Sequence, residues 1–293
     1  MTQHGTGMMC SRANVSHVPA PWALPLGLVL LSWTAAMGQT PLQQIAPTVE
    51  SASTNADQQT IVKELKSLND PTVMRRRVWL ETEWSDYKHG VNHVEETLGG
   101  LWAWRVSTNM DWGVRLKVPY EWHMAGDAAG DLDRQGIGDL KLATGTAFRL
   151  SKTWRTALGL ELRMPTAADN LGGRDWRLQE FGAVAWDATR WLTLSPSFEY
   201  NQSLAEVDNA PPQHYLELFF PATVLLPHHW SGTARYEAKV DFQRDNYLVQ
   251  SAKLQVARQL THLPLGFALA LKKPFDGGQK EFQVNFTITY YFR

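Results

Sequence analysis

From Arg77 to the end of the chain, large apolar side chains return at every second position in a series of separate runs. The clearest sets Trp112, Val114, Leu116, Val118, Tyr120 and Trp122 against Gly113, Arg115, Lys117, Pro119 and Glu121. The last sets Phe282, Val284, Phe286, Ile288, Tyr290 and Phe292 against Glu281, Gln283, Asn285, Thr287 and Thr289. Successive side chains of a strand point to opposite faces, so each run predicts a strand with one apolar and one polar face. A Lys or Arg at alternate places between large apolar residues cannot sit unpaired in a dry core, so the polar face must be wet or densely ion-paired. About ten residues suffice for a tilted strand to cross a bilayer, and these runs are that long.

Ten further runs follow the same parity. They start near Arg77, Thr97, Asp139, Trp154, Trp176, Leu192, His214, Arg235, Tyr247 and Leu263. The run at Trp176 is noisy, with Glu180 off pattern, and the run at His214 is apolar on both faces apart from Glu217 and Thr223. The expected architecture is all-β: an antiparallel transmembrane barrel of about 12 strands over residues 75–293, with a flexible N-terminal extension. An even strand count suits a single-chain bacterial outer-membrane barrel. Short links at 107–109, 151–152, 188–190, 227–229 and 261–262 alternate with mostly longer ones at 87–94, 125–135, 165–175 and 203–213. Short turns belong on the periplasmic side and long loops outside, which puts both ends of the barrel in the periplasm. Two late outer links, near Asp245 and at Asp276-Gly277-Gly278, are short and leave one side of the rim low.

Tryptophan placement supports this reading. Trp112, Trp154, Trp191 and Trp230 each follow a short turn, while Trp84, Trp122 and Trp176 fall near the opposite strand ends. An amphipathic indole favours the membrane interface, so Trp112, Trp154 and Trp230 mark an inner girdle and Trp84 and Trp122 an outer one. Trp191 is off register by one residue.

Ahead of the strands, residues 1–38 hold one basic residue, an apolar run from Trp22 to Trp33 broken by Pro25, and the small-residue stretch Ala35-Ala36-Met37-Gly38. This is the layout of a cleaved secretory signal, and the expected destination is the outer membrane of a Gram-negative bacterium. Residues 39–74, rich in Gln, Thr, Ser, Ala and Pro, read as a flexible periplasmic segment. Within it, Ile61, Leu65 and Leu68 at helical spacing allow a short amphipathic helix, either in the barrel mouth or against a periplasmic partner.

Composition narrows the alternatives. The single cysteine is Cys10, inside the expected signal, so the mature chain has no disulfide. A mean hydropathy of −0.31 would pass for a soluble protein, as it does for barrels whose strands give half their residues to a polar interior. Removing the signal leaves 27 basic and 29 acidic residues, a net charge of −2, which provides no electrostatic footprint for nucleic acid.

Two adjacent stretches resemble a known family. Gly136-Ile137-Gly138-Asp139-Leu140 opens one strand. Leu158-Gly159-Leu160-Glu161-Leu162-Arg163-Met164-Pro165-Thr166, followed by Asp169-Asn170-Leu171-Gly172-Gly173, closes the next and forms its loop. Together they are similar to the meta-pathway phenol-degradation-like outer-membrane transporters, in which a glycine-flanked aspartate begins a strand and Pro-Thr-Gly leads into a Gly- and Asn-rich loop. This chain has Ala167 where that family usually has the glycine after Pro-Thr. The resemblance implies a porin-like barrel passing hydrophobic or aromatic molecules, with no catalytic residues.

The candidate lumen-lining residues are Arg77, Glu81, Arg105, Arg115, Lys117, Glu121, Asp139, Lys141, Arg155, Glu161, Arg163, Glu199, Glu217, Arg235, Glu237, Lys239 and Asp241. Both signs are interspersed, which fits either a selectivity lining for a small solute or a self-neutralising ion-pair mesh filling a narrow barrel. The alternative to a channel is a structural or lipid-hydrolysing barrel, for which Ser203 and His214 are the nucleophile and base to test. No Gly-rich phosphate loop or carboxylate-histidine metal spacing is evident, His228-His229 reads as a solvated turn, and no cofactor is implied. The expected partners are outer-membrane lipid, the barrel-assembly machinery and a small-molecule solute. The final aromatic usually read by that machinery is here the penultimate residue, Phe292, before Arg293.

Overall fold

The computed structural model describes residues 55–88, 92–124, 134–167, 171–207, 212–276 and 280–293. The expected signal at 1–38, the start of the segment after it and the tips of several long links lie outside the described residues. Helix α1 (Asn55–Ser67) is followed by strands β1 (Arg77–Tyr87), β2 (Asn92–Ser107), β3 (Met110–Met124), β4 (Arg134–Ile137), β5 (Leu140–Arg149), β6 (Trp154–Met164) and β7 (Asp175–Asp187). Then come β8 (Leu192–Leu194), β9 (Ser197–Glu206), β10 (His214–Leu226), β11 (Trp230–Asp241), β12 (Tyr247–Gln259), β13 (Leu265–Asp276) and β14 (Lys280–Tyr291).

Every pairing is antiparallel, and β14 pairs with β1 from Arg77↔Tyr291 to Tyr87↔Lys280, so the sheet closes on itself. Two staves are each made of two short strands. β4 and β5 both pair with β3, and β8 and β9 both pair with β7 and β10, which gives a closed barrel of twelve staves. Each break falls where the chain cannot continue the ladder. Pro196 has no N–H to offer, and at Gly138-Asp139 the register along β3 shifts by one residue, Gly138 N bonding Pro119 O (2.9 Å) while the Asp139 side chain takes up backbone donors of the next loop. β2 begins at Asn92, earlier than the alternation indicated, because His93 and Glu95 continue the polar parity through a stretch without large apolar residues.

Burial runs opposite to that of a soluble protein. Leu98 (59% exposed), Leu254 (61%) and Phe275 (64%) stand on the outward face, whereas Glu121, Glu161 and Glu237 are buried inside. An outward band of this kind is adapted to hydrocarbon, with the polar groups turned inward to find partners. The band is edged by aromatics. At the short-turn end, Trp104 stacks on Trp112 (4.9 Å) and Trp154 on Trp186 (5.7 Å), while Arg258 lies over the Trp230 ring (5.2 Å). At the long-loop end Trp84 is exposed and Trp122 tilts against Tyr120 (4.5 Å). Trp191 is exposed in the β7–β8 turn. Glu180 is exposed on the outward parity, between Leu160 and Tyr200.

Helix α1 and the turn after it lie across the short-turn end. Ile61 and Leu65, one helical turn apart, are buried together with Glu64, whose carboxylate takes two hydrogen bonds from Arg293 (3.1 and 3.0 Å). Tyr291 at the end of β14 donates to Glu64 O (3.0 Å), and Lys66 reaches Asp187 at the end of β7 (2.7 Å). β7 and β14 stand on opposite sides of the ring, so the segment spans the mouth. Burying two branched aliphatics contributes about 3 to 6 kcal/mol, and paired ions at the rim add specificity of position. Gly113 marks a close approach of the turn to the wall. A Cβ there would lie 3.1 Å from Trp102 O and 3.3 Å from Met74 Sδ.

Candidate functional site

The inward parity of the staves lines a lumen that divides along its length. Closest to the plugged end is a chamber of about 570 Å³, floored by the turn after α1 and walled by Trp79, Phe181 and Phe219 among charged side chains. Beside it a smaller, almost wholly polar cavity of about 240 Å³ shares Arg115, Lys117 and Glu199 with the chamber and adds Lys141, Glu161, Arg163 and Glu217. Below the chamber a crevice of about 980 Å³ runs between α1 and the strand ends. Val73 and Met74 line both the chamber and the crevice, so they stand at the constriction between them.

Three aromatic rings of the chamber each lie near an arginine. Arg77 is 5.4 Å from the Trp79 centroid, Arg115 5.8 Å from Phe181 and Arg235 5.0 Å from Phe219. A guanidinium over an aromatic face is held without consuming its hydrogen-bond donors, which stay available to a carboxylate or a solute. The charges around the chamber are unequal. Arg77, Arg115, Lys117, Arg235, Lys253 and Lys272 face Asp70, Glu81, Glu83 and Glu199.

The residues singled out by parity separate into three groups. One faces the cavities: Glu81, Arg115, Lys117, Lys141, Glu161, Arg163, Glu199, Glu217, Arg235 and Glu237, joined at the chamber floor by Arg77, with Arg115 on Glu161 (2.6 Å) and Lys272 on Glu237 (2.6 Å). A second belongs to the plugged end. Arg155 bridges Asp70 (2.9 Å) and Asp187, Arg77 donates to Ser67 O (2.5 Å), and Arg105 pairs with Asp111 at the rim (2.7 Å). The third anchors the long-loop end. Lys239 sits over Tyr215 (3.5 Å), Asp241 approaches Arg244 (3.6 Å), Glu121 meets two histidines, and Asp139 clamps a loop.

That clamp brings together the two stretches on which the family resemblance rests. Asp139, fully buried, accepts from Arg163 Nε (2.9 Å), Ala167 N (3.2 Å) and Gly173 N (2.7 Å), and Thr166 Oγ1 accepts from Leu140 N (2.9 Å). Gly172 has φ +71°, and a Cβ there would lie 2.5 Å from Asp139 Oδ2, so glycine is needed for both conformation and space. Ala167, in place of the usual glycine, still presents its N–H to Asp139.

Parity also hid part of the site. Phe181 and Phe219 are apolar residues on the wet face, and Arg177, bound to Asp175 (2.8 Å) and Tyr215 (3.2 Å), lay in the noisy run. His93 and His123 lie on different strands, thirty positions apart, so no ligand spacing along the chain joins them. The hairpin register of β2 and β3 places them directly opposite each other beside Glu121. Ser203 and His214 do not meet. Ser203 Oγ donates to Asp175 on the inward face, and His214 Nε2 pairs with the Tyr200 hydroxyl (2.6 Å) on the outward face. His228 and His229 both adopt left-handed backbone angles in their turn (φ 57° and 61°), and burial, with His228 and Arg258 nearby, lowers the affinity of the His229 imidazole for a proton.

No protein-family model and no curated protein matches the chain. Among solved structures the fold is similar to the COG4313 outer membrane channel from Pseudomonas putida F1 (TM-score 0.63, 14% identity, 75% of this chain and 96% of that one). It is also similar to the NanC porin (TM-score 0.51, 11% identity, 74% and 99%) and to the translocator domain of the autotransporter NalP from Neisseria meningitidis (TM-score 0.50, 12% identity, 81% and 96%). The chain therefore has the fold of an outer-membrane β-barrel. Channels, porins and a translocator share it, so the fold alone does not select among their tasks.

Proposed function

We propose that this protein is an outer-membrane channel passing small hydrophobic or aromatic solutes down their gradient, with acidic solutes favoured over basic ones. The observation that carries this reading is the chamber in which Trp79, Phe181 and Phe219 lie beside Arg77, Arg115 and Arg235. Rings on the wall accept an aromatic solute by stacking, and the surrounding excess of Lys and Arg suits a carboxylate on it. The likeness of the Gly138-Asp139 and Pro165-Thr166 stretches to the phenol-degradation-like transporters supports the same solute class, and the outward apolar band with its aromatic edges supports the membrane. Export through a cleaved signal at residues 1–38 and insertion by the barrel-assembly machinery, guided by Phe292, complete the reading. Current through the purified, refolded protein in a planar bilayer tests it. Small-ion conductance is expected, benzoate should reduce it, and Phe181→Ala with Phe219→Ala should weaken that block. A folded barrel that passes no current overturns the channel, and an equal block in the double variant overturns the aromatic chamber.

A further inference from the structure

On the inward face near the long-loop end, His93 of β2 stands directly opposite His123 of β3, and Glu95 directly opposite Glu121. Glu121 and His123 are two apart on one strand, so all four share a face. The Glu121 carboxylate oxygen Oε2 is 3.5 Å from His93 Nε2 and 3.3 Å from His123 Nε2, and the two rings are 4.4 Å apart. Ligands bound to one ion at about 2.1 Å in a tetrahedral arrangement lie about 3.4 Å from one another, which matches both histidine–glutamate separations, and all three donors lie within 4.8 Å of one another.

Two further observations point to a cation. His93 is 7% exposed, and among the described residues its ring nitrogens make no well-formed hydrogen bond, Nε2 having only the long 3.5 Å approach to Glu121, although a buried imidazole ordinarily finds a close partner. Like charges directly opposite each other across a ladder are destabilising, yet Glu95 and Glu121 face each other beside these rings. A divalent ion resolves both. Gly138 behind the site keeps room for it, since a Cβ there would come within 2.3 Å of Glu121 Oε1.

We propose that His93, Glu121 and His123 bind a first-row divalent transition-metal ion, with zinc as the reference, leaving a fourth position open to the lumen on the half-exposed His123 side. Imidazole nitrogen with a single carboxylate selects such ions over calcium or magnesium, which prefer shells of oxygen. This inference does not rest on the permeation reading. An occupied site would add positive charge to the outer vestibule and tie β2 to β3 across the wall.

The test uses the full barrel, purified without a polyhistidine tag, stripped with a chelator and titrated with zinc sulfate by calorimetry, with elemental analysis after gel filtration. One zinc per barrel is expected. His93→Ala and His123→Ala should each weaken binding more than about tenfold, by analogy with the tenfold to hundredfold losses seen when even indirect supports of a metal are removed. Cobalt(II) should give visible absorption bands of a four-coordinate ion that His93→Ala removes, while His228→Ala with His229→Ala at the other end should leave zinc binding unchanged. Unheated gel mobility establishes that each variant is folded, and His93→Gln replaces any variant that is not. Absence of zinc binding in the folded wild type, or undiminished binding in folded variants of His93 and His123, overturns the proposal.

Discussion

At the short-turn end of the lumen, Arg155 shows 13% of its side chain and is held between Asp70 and Asp187, the latter also taking Lys66. In the chamber above, Arg115 and Lys272 show 31% and 28%; Arg115 pairs directly with Glu161, and Lys272 with Glu237, which Arg235 also reaches. The residue types are the same and the surroundings differ. Interlocked, buried charge fixes the plug in place, since removing one member strands the others without water. The chamber cations differ in exposure: about a third of each side chain is open to water, and so to a passing solute. A charged lumen therefore need not be either a filter or a mesh, and the proposed reading of this one is a mesh at the plugged end and a filter in the chamber.

The sharpest way to break that division is Arg155→Ala. It leaves Asp187 with Lys66 as its remaining cation and Asp70 with the hydrogen bonds of Thr72, a change that costs about 3 kcal/mol where a buried pair is broken. The expected outcome is release of α1 from the mouth. It should be seen as protease cleavage within residues 55–74, a lower midpoint of unfolding and a larger conductance. Unchanged cleavage and conductance would show that the plug is held by Ile61, Leu65 and the Glu64–Arg293 pair alone.

In the chamber, replacing Arg115 and Lys117 together by Ser should change the selectivity of the barrels that fold, at some cost in stability because Glu161 loses its Arg115 partner. A unit charge about 4 Å from a passing ion in water is worth about 1 kcal/mol, roughly a fivefold change in preference between ions of opposite sign. The reversal potential under a salt gradient should therefore move toward cation selectivity. An unmoved value would place the filtering elsewhere, with Lys253 and Lys272 as the next residues to replace.

What the alternation disclosed and what it did not follow from the same geometry. Period two assigns each strand residue a face, which is why the twelve staves, and outward residues such as Trp112 and Trp230, are legible in the alternation of the runs. It says nothing of depth along the axis, so Arg155, Asp139 and Arg115 were indistinguishable, although one holds the plug, one clamps a loop and one faces the chamber. Nor does it report what folds inside. Residues 55–74 look like a soluble tail because Glu64 and Asp70 are polar, yet both are buried against arginines supplied from 85 or more positions away. The pairing of His93 with His123 needs the register of the β2–β3 hairpin, which Glu-x-His on an inward parity only hints at. Aromatic rings on the wet face, Phe181 and Phe219, read as noise until the cavity they line is seen.

The smallest expected effect lies on the outward face, and it tests the contrast between burial inside and exposure outside. Glu180 is the exception to the apolar band, exposed between Leu160 and Tyr200 on neighbouring staves. A carboxylate facing lipid is unfavourable, less so than Lys or Arg, which cost about 2 to 4 kcal/mol at the bilayer midplane and about 0 to 1 kcal/mol near the interface. Glu180 lies five residues in from the long-loop end of β7, so Glu180→Leu should stabilise the barrel by about 1 kcal/mol in urea unfolding from lipid vesicles, with conductance unaltered. A destabilised Glu180→Leu barrel would mean that this carboxylate is not simply facing lipid. It would instead be making a contact outside the barrel wall, with a headgroup or a second copy, and the outward band would then be interrupted at Glu180 by design.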